Sequence, residues 1–300
     1  MKKFENFILE IGLTKSAIEN YVTFSDASYN TFYIPKKKKG EKRVIDCPNA
    51  NLKAIQRFFL KKYLNKVEVN KRVNGFVPKR GIKRNALFHM KNKYLLTIDI
   101  KDFFPSISQK KVFEVLYEIY YDKDFALKMA KLCTYKRSLP QGAPTSPALS
   151  NLVFKGIDDE IMKYCNSEMV NYSRYADDLT FSSDNKNSLQ YVYKFVSHLL
   201  YTNGFNINKK KTRYLSGKGK MSITGVYINS GKPKVSSELK KQLRAELHQY
   251  IINGKEINLN QVSGYISFIS SIEDDYLKKV ESYIEKLKKK KTLMLTLKAE

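Results

Sequence analysis

Three aspartates in two distant segments are the residues best suited to do chemistry in this sequence. Asp99 follows a short apolar run, residues 94–98, whereas Asp177 and Asp178 are adjacent within residues 170–182. A salt bridge or a helix cap could explain Asp99 taken alone. Adjacent carboxylates are harder to explain in this way, because like charges repel and β-strands disfavour aspartate. Divalent cations that neutralise the pair would account for it.

If the two segments meet, their carboxylates offer the hard oxygen ligands that Mg²⁺ prefers. Two such ions about 3.5–4 Å apart stabilise the attacking and the leaving oxygen of phosphoryl transfer together. In that chemistry the protein contributes mainly positioning and electrostatics. The aspartates therefore indicate nucleotide transfer to a nucleic-acid 3′-hydroxyl.

The elements that must position these residues include both helices and strands. Apolar periodicity predicts helices over residues 52–64, 109–121, 147–165, 188–201 and from Ser236, a good N-cap, onward. Strands are predicted over residues 42–46, 94–100 and 222–228, and residues 170–182 are predicted as a hairpin with both aspartates at its turn. The last sixty residues have a helical pattern. The sequence therefore predicts an α+β fold with a separate helical C-terminal region.

The charge balance indicates a polyanionic partner. Fifty-five Lys and Arg residues against 29 Asp and Glu give a net charge of +26, and such a surface repels itself unless a polyanion neutralises it. Tyrosine and phenylalanine number 21 and 17, and their rings offer faces for base stacking. A lysine-rich composition that serves only solubility is the alternative, and charge alone does not separate the two.

Other classes of protein fit poorly. Hydrophobic residues make up 42% of the chain, which excludes a disordered protein. Apolar runs fall short of the roughly 18–20 residues that span a bilayer, and the N-terminus lacks a signal-peptide core. The three cysteines are far apart, which suits a reducing compartment, and they form no local zinc motif with the three histidines. We therefore expect a soluble, cytoplasmic protein with no membrane partner.

Three motifs, in order along the chain, resemble those of reverse transcriptases. Residues 98–107 (IDIKDFFPSI) resemble the first aspartate motif, residues 139–147 (LPQGAPTSP) the LPQGxxxSP motif, and residues 175–178 (YADD) the YxDD box. The resemblance implies an RNA-directed DNA polymerase with a right-hand fold. Fingers and palm, the latter an antiparallel sheet with helices, would occupy residues 1–230, and a helical, RNA-binding thumb residues 231–300.

Shorter motifs resemble the reverse transcriptases of bacterial retrons. Residues 85–89 (NALFH) are similar to their NAxxH signature, residues 223–225 (ITG) to their VTG signature with Ile in place of Val, and residues 264–268 (GYISF) to a thumb segment. The resemblance implies that the enzyme binds its own structured noncoding RNA and primes from the 2′-hydroxyl of an internal guanosine. It would then copy part of that RNA into branched multicopy single-stranded DNA.

The retron resemblance also implies partners. No RNase H-like domain fits into the chain, so a cellular RNase H is expected to remove the template from the RNA–DNA product. Such systems generally act in anti-phage defence together with an effector protein, which is the expected protein partner.

The resemblance assigns roles to individual residues. Two Mg²⁺ ions are expected on Asp99, Asp177 and Asp178, with Asp177 more central because successive strand residues face opposite ways. The candidates for dNTP binding are Lys37, Arg43, Asp102, Phe104, Gln141, Gly142 and Lys211. Phe104 occupies the place of a steric gate that would exclude a ribonucleotide 2′-hydroxyl, with simple packing as the alternative. Asp102 either shapes the triphosphate pocket or caps a turn, and any lysine of residues 36–39 could serve in place of Lys37.

The candidate RNA contacts lie in the NAxxH region and in the thumb. They are Asn85, His89, Lys240, Lys241 and Arg244. His89 could equally be a buried, hydrogen-bonded histidine, and the basic run at residues 286–291 could be either a solvated helix end or an RNA contact. The three thumb cations are expected on the exposed face of their helix.

Two rival functions stay open. One is another bacterial reverse transcriptase, such as an abortive-infection polymerase that makes DNA without a template. The other is a catalytically silent RNA-binding scaffold, although such a protein has no need for three costly carboxylates. Synthesis from dNTPs alone would identify the first rival.

Overall fold

The computed structural model describes residues 3–35, 40–217, 219–229 and 231–296, so Lys37 lies outside the described residues. The helices are α1 Lys3–Ile11, α2 Lys15–Thr23, α3 Ala50–Lys62, α4 Ile82–Leu87, α5 Gln109–Tyr120, α6 Lys123–Cys133, α7 Ser146–Val153, α8 Lys155–Ser167, α9 Lys186–Thr202, α10 Ser237–Ile251, α11 Leu259–Ile272 and α12 Tyr276–Thr296. The strands are β1 Tyr29–Pro35, β2 Lys42–Pro48, β3 Tyr94–Lys101, β4 Asn171–Tyr175, β5 Asp178–Ser183, β6 Asn206–Ile207, β7 Arg213–Ser216, β8 Ser222–Ile223 and β9 Val226–Tyr227. The predicted α+β fold is confirmed.

An antiparallel sheet built around β3 positions the catalytic candidates. Strand β3 pairs with β5 on one side and with β6 and β7 on the other, and β4 extends the sheet beyond β5. Leu96 and Ile98 of β3 are buried in the main core, which explains why this strand reads as an apolar run. Helices α8 and α9 pack against the sheet. This sheet therefore corresponds to the expected palm.

The N-terminal region forms the expected fingers. Strands β1 and β2 make an antiparallel hairpin, in which Ile34 pairs with Arg43. Behind the hairpin, aromatic rings of three helices meet: the ring of Phe7 lies 6.2 Å from those of both Phe59 and Phe125. These residues belong to the same hydrophobic cluster as the palm core. Fingers and palm therefore share one core.

A second hydrophobic cluster holds the C-terminal helices. Its buried members come from β8, β9 and α10–α12, together with Ala86 of α4 and Leu95 of β3. Helix α10 begins as predicted, because the Ser236 side chain accepts a hydrogen bond from the Leu239 N–H at 3.2 Å. None of the described helices is long and apolar enough to cross a membrane. The helical thumb thus packs on the palm through α4 and the first residues of β3.

Two predicted elements are wrong in detail. Residues 147–165 form two helices, α7 and α8, which meet at Phe154, a fully buried residue whose ring packs 5.1 Å from that of Phe205. Residues 222–228 form a hairpin instead of one strand, because Thr224 and Gly225 both have positive φ, +47° and +85°, as a two-residue hairpin turn requires. The ITG motif is therefore a turn.

Candidate active site

Pairing between β3 and β5 brings the two acidic segments together. Asp99 and Asp178 are direct cross-strand partners, and the Ile100 N–H donates to the Asp177 carbonyl oxygen at 3.0 Å. The turn contains only Ala176, at a φ of +58°, and Asp177, since Tyr175 pairs with Asp178. The prediction that both aspartates lie in the turn is therefore wrong for Asp178, which begins β5. All three carboxylates nevertheless lie at one end of the palm sheet.

Burial and, after it, neighbouring carboxylates raise the pKa of Asp177 and of Asp178. Burial, followed by the nearby Asp177 and Asp99, raises the pKa of Asp178 to about 6. Burial and Asp99 also raise the pKa of Asp177, while Lys211 and Arg43 oppose that rise. Only Asp99 has a close cationic partner among the described residues: its Oδ2 lies 2.8 Å from Lys211 Nζ.

Divalent cations fit this donor set chemically, although the side chains are not arranged around them. Among the described residues, no three Asp, Glu, His or Cys side chains form a ready metal site. The Lys211 ammonium donates a hydrogen bond to one carboxylate oxygen of Asp99. Carboxylate oxygens are the hard, anionic ligands that Mg²⁺ prefers. Two of the three carboxylates also lack a close cationic partner among the described residues. The backbone thus brings three candidate metal ligands to one end of the sheet.

Comparison with known proteins identifies the family. The model of the family described as reverse transcriptase (RNA-dependent DNA polymerase) matches residues 34–228. The Retron Ec86 reverse transcriptase of Escherichia coli is 36% identical over 260 residues, which cover 86% of this chain and 81% of that protein. The Retron Ec73 reverse transcriptase of Escherichia coli is 31% identical, covering 84% of this chain and 86% of that protein. This chain belongs to the retron reverse transcriptases.

The fold is shared more widely. Apo telomerase from Candida tropicalis superimposes with a TM-score of 0.54 at 14% sequence identity, covering 92% of this chain and 64% of that one. At this identity the likeness concerns the fold alone. The expected right-hand polymerase architecture and the RNA-directed DNA polymerase activity of the family therefore apply to this enzyme.

A buried ion pair supports the YADD turn of the retron reverse transcriptase. Arg174, on β4, donates from Nε and Nη2 to the two carboxylate oxygens of Asp158, at 2.8 and 2.6 Å, and both side chains are fully buried. Its Nη1 donates to the Ala176 carbonyl oxygen in the turn at 3.0 Å, and to Asn151. Tyr172 donates to Asp158 as well, at 2.6 Å. Sequence analysis missed this group, although Arg174 directly precedes the YADD box.

Removing Arg174 should destabilise the fold strongly. Arg174→Met would leave the Asp158 carboxylate buried without its charge partner, which costs about 3–5 kcal/mol. Chemical denaturation should therefore show a lower free energy of unfolding for this variant. Lys155→Met is the matched control, since the half-exposed Lys155–Asp159 pair contributes less than about 1 kcal/mol. Equal losses in the two variants would contradict the bracing role.

The backbone of Gly75 lies close to the backbone of the YADD turn and supports it from a second direction. A Cβ atom at this position would lie 2.4 Å from the Ala176 backbone nitrogen, a separation that real side chains do not show. The Asn151 side chain donates to the Gly75 carbonyl oxygen at 2.9 Å, which holds the loop in place. Sequence analysis did not identify Gly75 either. The catalytic turn therefore packs directly on the backbone of the loop at residues 70–76.

Three of the predicted dNTP residues, Phe104, Gln141 and Gly142, have defined neighbours in the structure. Phe104 is half-buried between the rings of Phe103 and Phe76, with centroids 5.6 and 6.1 Å away. Gly142 has a φ of +143°, and a Cβ there would lie 2.7 Å from the Asp46 carbonyl oxygen of β2. The neighbouring Gln141 accepts a hydrogen bond from the Asp46 N–H at 3.0 Å. The LPQG segment is thus fastened to the fingers hairpin.

Two further members of the predicted dNTP set have distinct surroundings. Arg43 projects from the exposed β2 strand, near enough to Asp177 to affect its pKa. Asp102 is exposed and left-handed, at a φ of +48°, and its carbonyl oxygen accepts hydrogen bonds from the Ser106 N–H and hydroxyl. Its backbone therefore forms a turn next to Asp99, whereas its role in dNTP binding stays a prediction.

The prediction that Asn85 contacts RNA is wrong for the described fold, because this residue is fully buried, and of the two alternatives for His89 the buried, hydrogen-bonded histidine is confirmed. His89 Nδ1 and Nε2 lie 2.7 Å from the hydroxyls of Ser182 and Ser173, on β5 and β4. The Asn85 side-chain oxygen accepts a hydrogen bond from Ser173 at 2.8 Å. The NAxxH motif therefore fastens α4 to the hairpin that carries the aspartates.

The burial of His89 predicts an acid-sensitive fold. Burial, followed by the charge of Arg72, lowers the pKa of His89 from 6.5 to about 3. In the unfolded chain His89 binds a proton as the pH falls through about 6.5, whereas in the folded chain it stays neutral. The free energy of unfolding therefore decreases as the pH falls below about 6.5. Between pH 7 and pH 5 this residue alone should lower the free energy of unfolding by about 2 kcal/mol. In denaturant titrations, the free energy of unfolding of His89→Gln should fall by this amount less than that of the wild type between pH 7 and pH 5. Equal falls in the two proteins would contradict the assignment.

The thumb cations differ from one another. Lys240 Nζ lies 2.7 Å from Glu273 Oε1, and both side chains are largely buried, so the prediction of an exposed Lys240 free for RNA is wrong. Lys241 and Arg244 are exposed on the outer face of α10. The Arg244 guanidinium lies 5.9 Å from the centre of the Tyr283 ring, and Arg244 forms no ion pair with another described residue. These two residues remain available for phosphate contacts.

Proposed function

We propose that this retron reverse transcriptase copies part of a structured noncoding RNA into branched multicopy single-stranded DNA, primed from the 2′-hydroxyl of an internal guanosine. Two Mg²⁺ ions would bind at Asp99, Asp177 and Asp178. The observation that carries the proposal is the direct cross-strand pairing of Asp99 with Asp178, next to the turn that bears Asp177. Such a convergence of carboxylates suits nucleotidyl transfer.

The chain's own residues have separable roles in this reaction. When bound, the ions supply the charge neutralisation that the attacking hydroxyl and the leaving pyrophosphate need. Arg43, exposed on the fingers hairpin, suits bidentate binding of the dNTP triphosphate. Lys211 pairs with Asp99 while 60% of its side chain stays exposed, so it can also reach the pyrophosphate. Gln141 and Gly142 line the nucleotide site through the backbone contact with β2.

The RNA-binding surface proposed here replaces the buried Asn85 and His89 by neighbouring cations that are exposed or partly exposed. Residues 69–98 contain no acidic residue, and their cations are Lys71, Arg72, Lys79, Arg80, Lys83, Arg84, Lys91 and Lys93. The guanidinium groups of Arg72 and Arg84 lie 4.5 and 5.1 Å from the ring of Phe88. Two cations on one ring, without a carboxylate partner among the described residues, suit phosphates of the RNA. Lys241 and Arg244 would extend this surface onto the thumb.

Phe104 is proposed as the steric gate that selects dNTPs. Phe104→Ala should raise ribonucleotide incorporation relative to dNTP incorporation by roughly 10- to 100-fold, because the cavity admits a 2′-hydroxyl. Primer extension with each nucleotide type measures the ratio. Phe104→Leu, which keeps most of the bulk, should retain the preference for dNTPs. An unchanged ratio in Phe104→Ala would assign the ring to packing alone.

The wider setting is also a proposal. The enzyme would act in the cytoplasm on dNTPs, a cellular RNase H would trim its product, and an effector protein would join it in anti-phage defence. Co-expression with the noncoding region next to its gene tests the central step. DNA that remains linked to RNA through a 2′-branch is the expected product. Polymer made from dNTPs alone, without RNA, would favour the template-independent rival.

A further inference from the structure

A surface cavity at the far end of the palm sheet has no part in the catalytic site. It encloses about 530 Å³ and lies between β3, β7 and the start of α9. The residues that line it include Tyr94, Leu189 and Tyr214, together with Lys93 and Lys186. Tyr94 and Asp99 lie at opposite ends of β3, about 17 Å apart along an extended strand. An incoming dNTP at the aspartates therefore cannot occupy it.

The described residues that line the cavity include two lysines and no acidic residue. Neither Lys93 nor Lys186 forms an ion pair with any described residue, and both side chains are exposed. Lys186 is the first residue of the 17-residue helix α9, whose first turn contains no acidic residue. Asp184, next to this helix, accepts a hydrogen bond from the Lys93 backbone N–H at 2.9 Å.

The remaining walls suit a flat aromatic group. Tyr214 is 46% exposed, and its ring is held edge-on by Tyr193 at 6.2 Å. Strand β7 pairs only with β3 among the described strands, which leaves the cavity open at the edge of the sheet. Cations beside an accessible ring are the combination that binds unpaired nucleotides.

We propose that this cavity binds an unpaired nucleotide of a single-stranded polynucleotide, with the base against Tyr214 and the adjoining phosphates on Lys93 and Lys186. The volume falls within the range of small-ligand pockets and suits about one nucleotide. The site rests on the proposed function, because the strand would be either an unpaired segment of the noncoding RNA or the DNA product. It would anchor that strand outside the catalytic cleft.

Salt-dependent binding of short, unstructured oligonucleotides tests this site. Lys93→Gln/Lys186→Gln should weaken binding at least about 5-fold and reduce the log–log salt slope by about 1.4, which is about 0.7 for each lost phosphate contact. The control, Lys163→Gln/Lys194→Gln, removes two exposed lysines of α8 and α9 away from the cavity. RNA and DNA oligonucleotides of one sequence, in separate arms, show which strand is preferred. Equal losses in the two double variants, or none in the cavity variant, would overturn the proposal.

Crosslinking and catalysis complete the test. An RNA oligonucleotide that contains 4-thiouridine should crosslink within residues 213–217, and Tyr214→Leu should lower the yield severalfold. Extension of oligo(dT) on poly(rA) should stay at the wild-type rate in each cavity variant. If the wild-type enzyme fails to extend this primer, the proposed function fails. If the wild-type enzyme extends the primer but the crosslinks form outside residues 213–217, only the cavity assignment fails.

Discussion

Asp177→Asn should abolish DNA synthesis while RNA binding and folding persist. The substitution keeps the shape of the side chain and removes the charge that would hold a divalent cation, so the rate should fall at least about 10³-fold. Burial and Asp99 already disfavour the ionised form of Asp177, so its neutralisation should not lower the free energy of unfolding. Primer extension, RNA binding and thermal unfolding of one preparation measure the three quantities.

Asp275→Asn is the matched control, since Asp275 is an exposed aspartate beside α12, far from the palm aspartates. It should leave synthesis unchanged. Asp178→Asn, measured in parallel, compares the importance of the two adjacent aspartates. Side-chain direction favours Asp177 as the more central ligand, whereas the strand register places Asp178 opposite Asp99. Wild-type synthesis by Asp177→Asn would refute the assignment of this carboxylate.

Gly75→Ala should lower synthesis strongly, although Gly75 has no side chain that could bind substrate or metal. The added methyl group would meet the Ala176 nitrogen at 2.4 Å, and a backbone atom cannot rotate away. The YADD turn or the loop must therefore shift, and displacement of a catalytic group by about 1 Å costs on the order of 10²-fold in rate. Steady-state kinetics should show the loss in kcat, with smaller effects on RNA affinity.

The control for Gly75 is Gly156→Ala in helix α8. A Cβ at Gly156 meets no atom within 4 Å, so this variant should keep full activity and gain about 0.5–1 kcal/mol of stability from the helix propensity of alanine. If Gly75→Ala retains wild-type kcat, the contact between the loop and the turn does not set the position of Asp177.

The elements that face the core could be predicted from the sequence. The strand predicted over residues 94–100 is Tyr94–Lys101, and the helix predicted over residues 109–121 is Gln109–Tyr120. Apolar periodicity reports which side of an element is buried, so it locates such elements well. The break at Phe154 escaped prediction, because the apolar pattern continues across it and the packing of its ring depends on distant residues.

The polar interior could not be predicted in the same way. His89 is hydrogen-bonded to Ser173 and Ser182, which lie 84 and 93 residues further along the chain. A single sequence does not show which polar side chains meet in a core. Arg174 was overlooked because one more cation is unremarkable in a chain of charge +26, and its partner Asp158 lies 16 residues upstream. The motifs located the three candidate catalytic aspartates, and tertiary packing alone revealed the groups that support the turn next to them.

Mn²⁺ binding to the enzyme with a 3′-dideoxy-terminated primer on its template and a matching dNTP tests the central claim most directly. Electron paramagnetic resonance counts the bound ions, and the chain-terminated primer prevents turnover. The wild-type enzyme should bind two ions beyond those on the nucleic acid and nucleotide alone, and Asp99→Asn and Asp177→Asn should each lose at least one. Equal ion counts in wild type and both variants would show that these aspartates do not hold the catalytic metals.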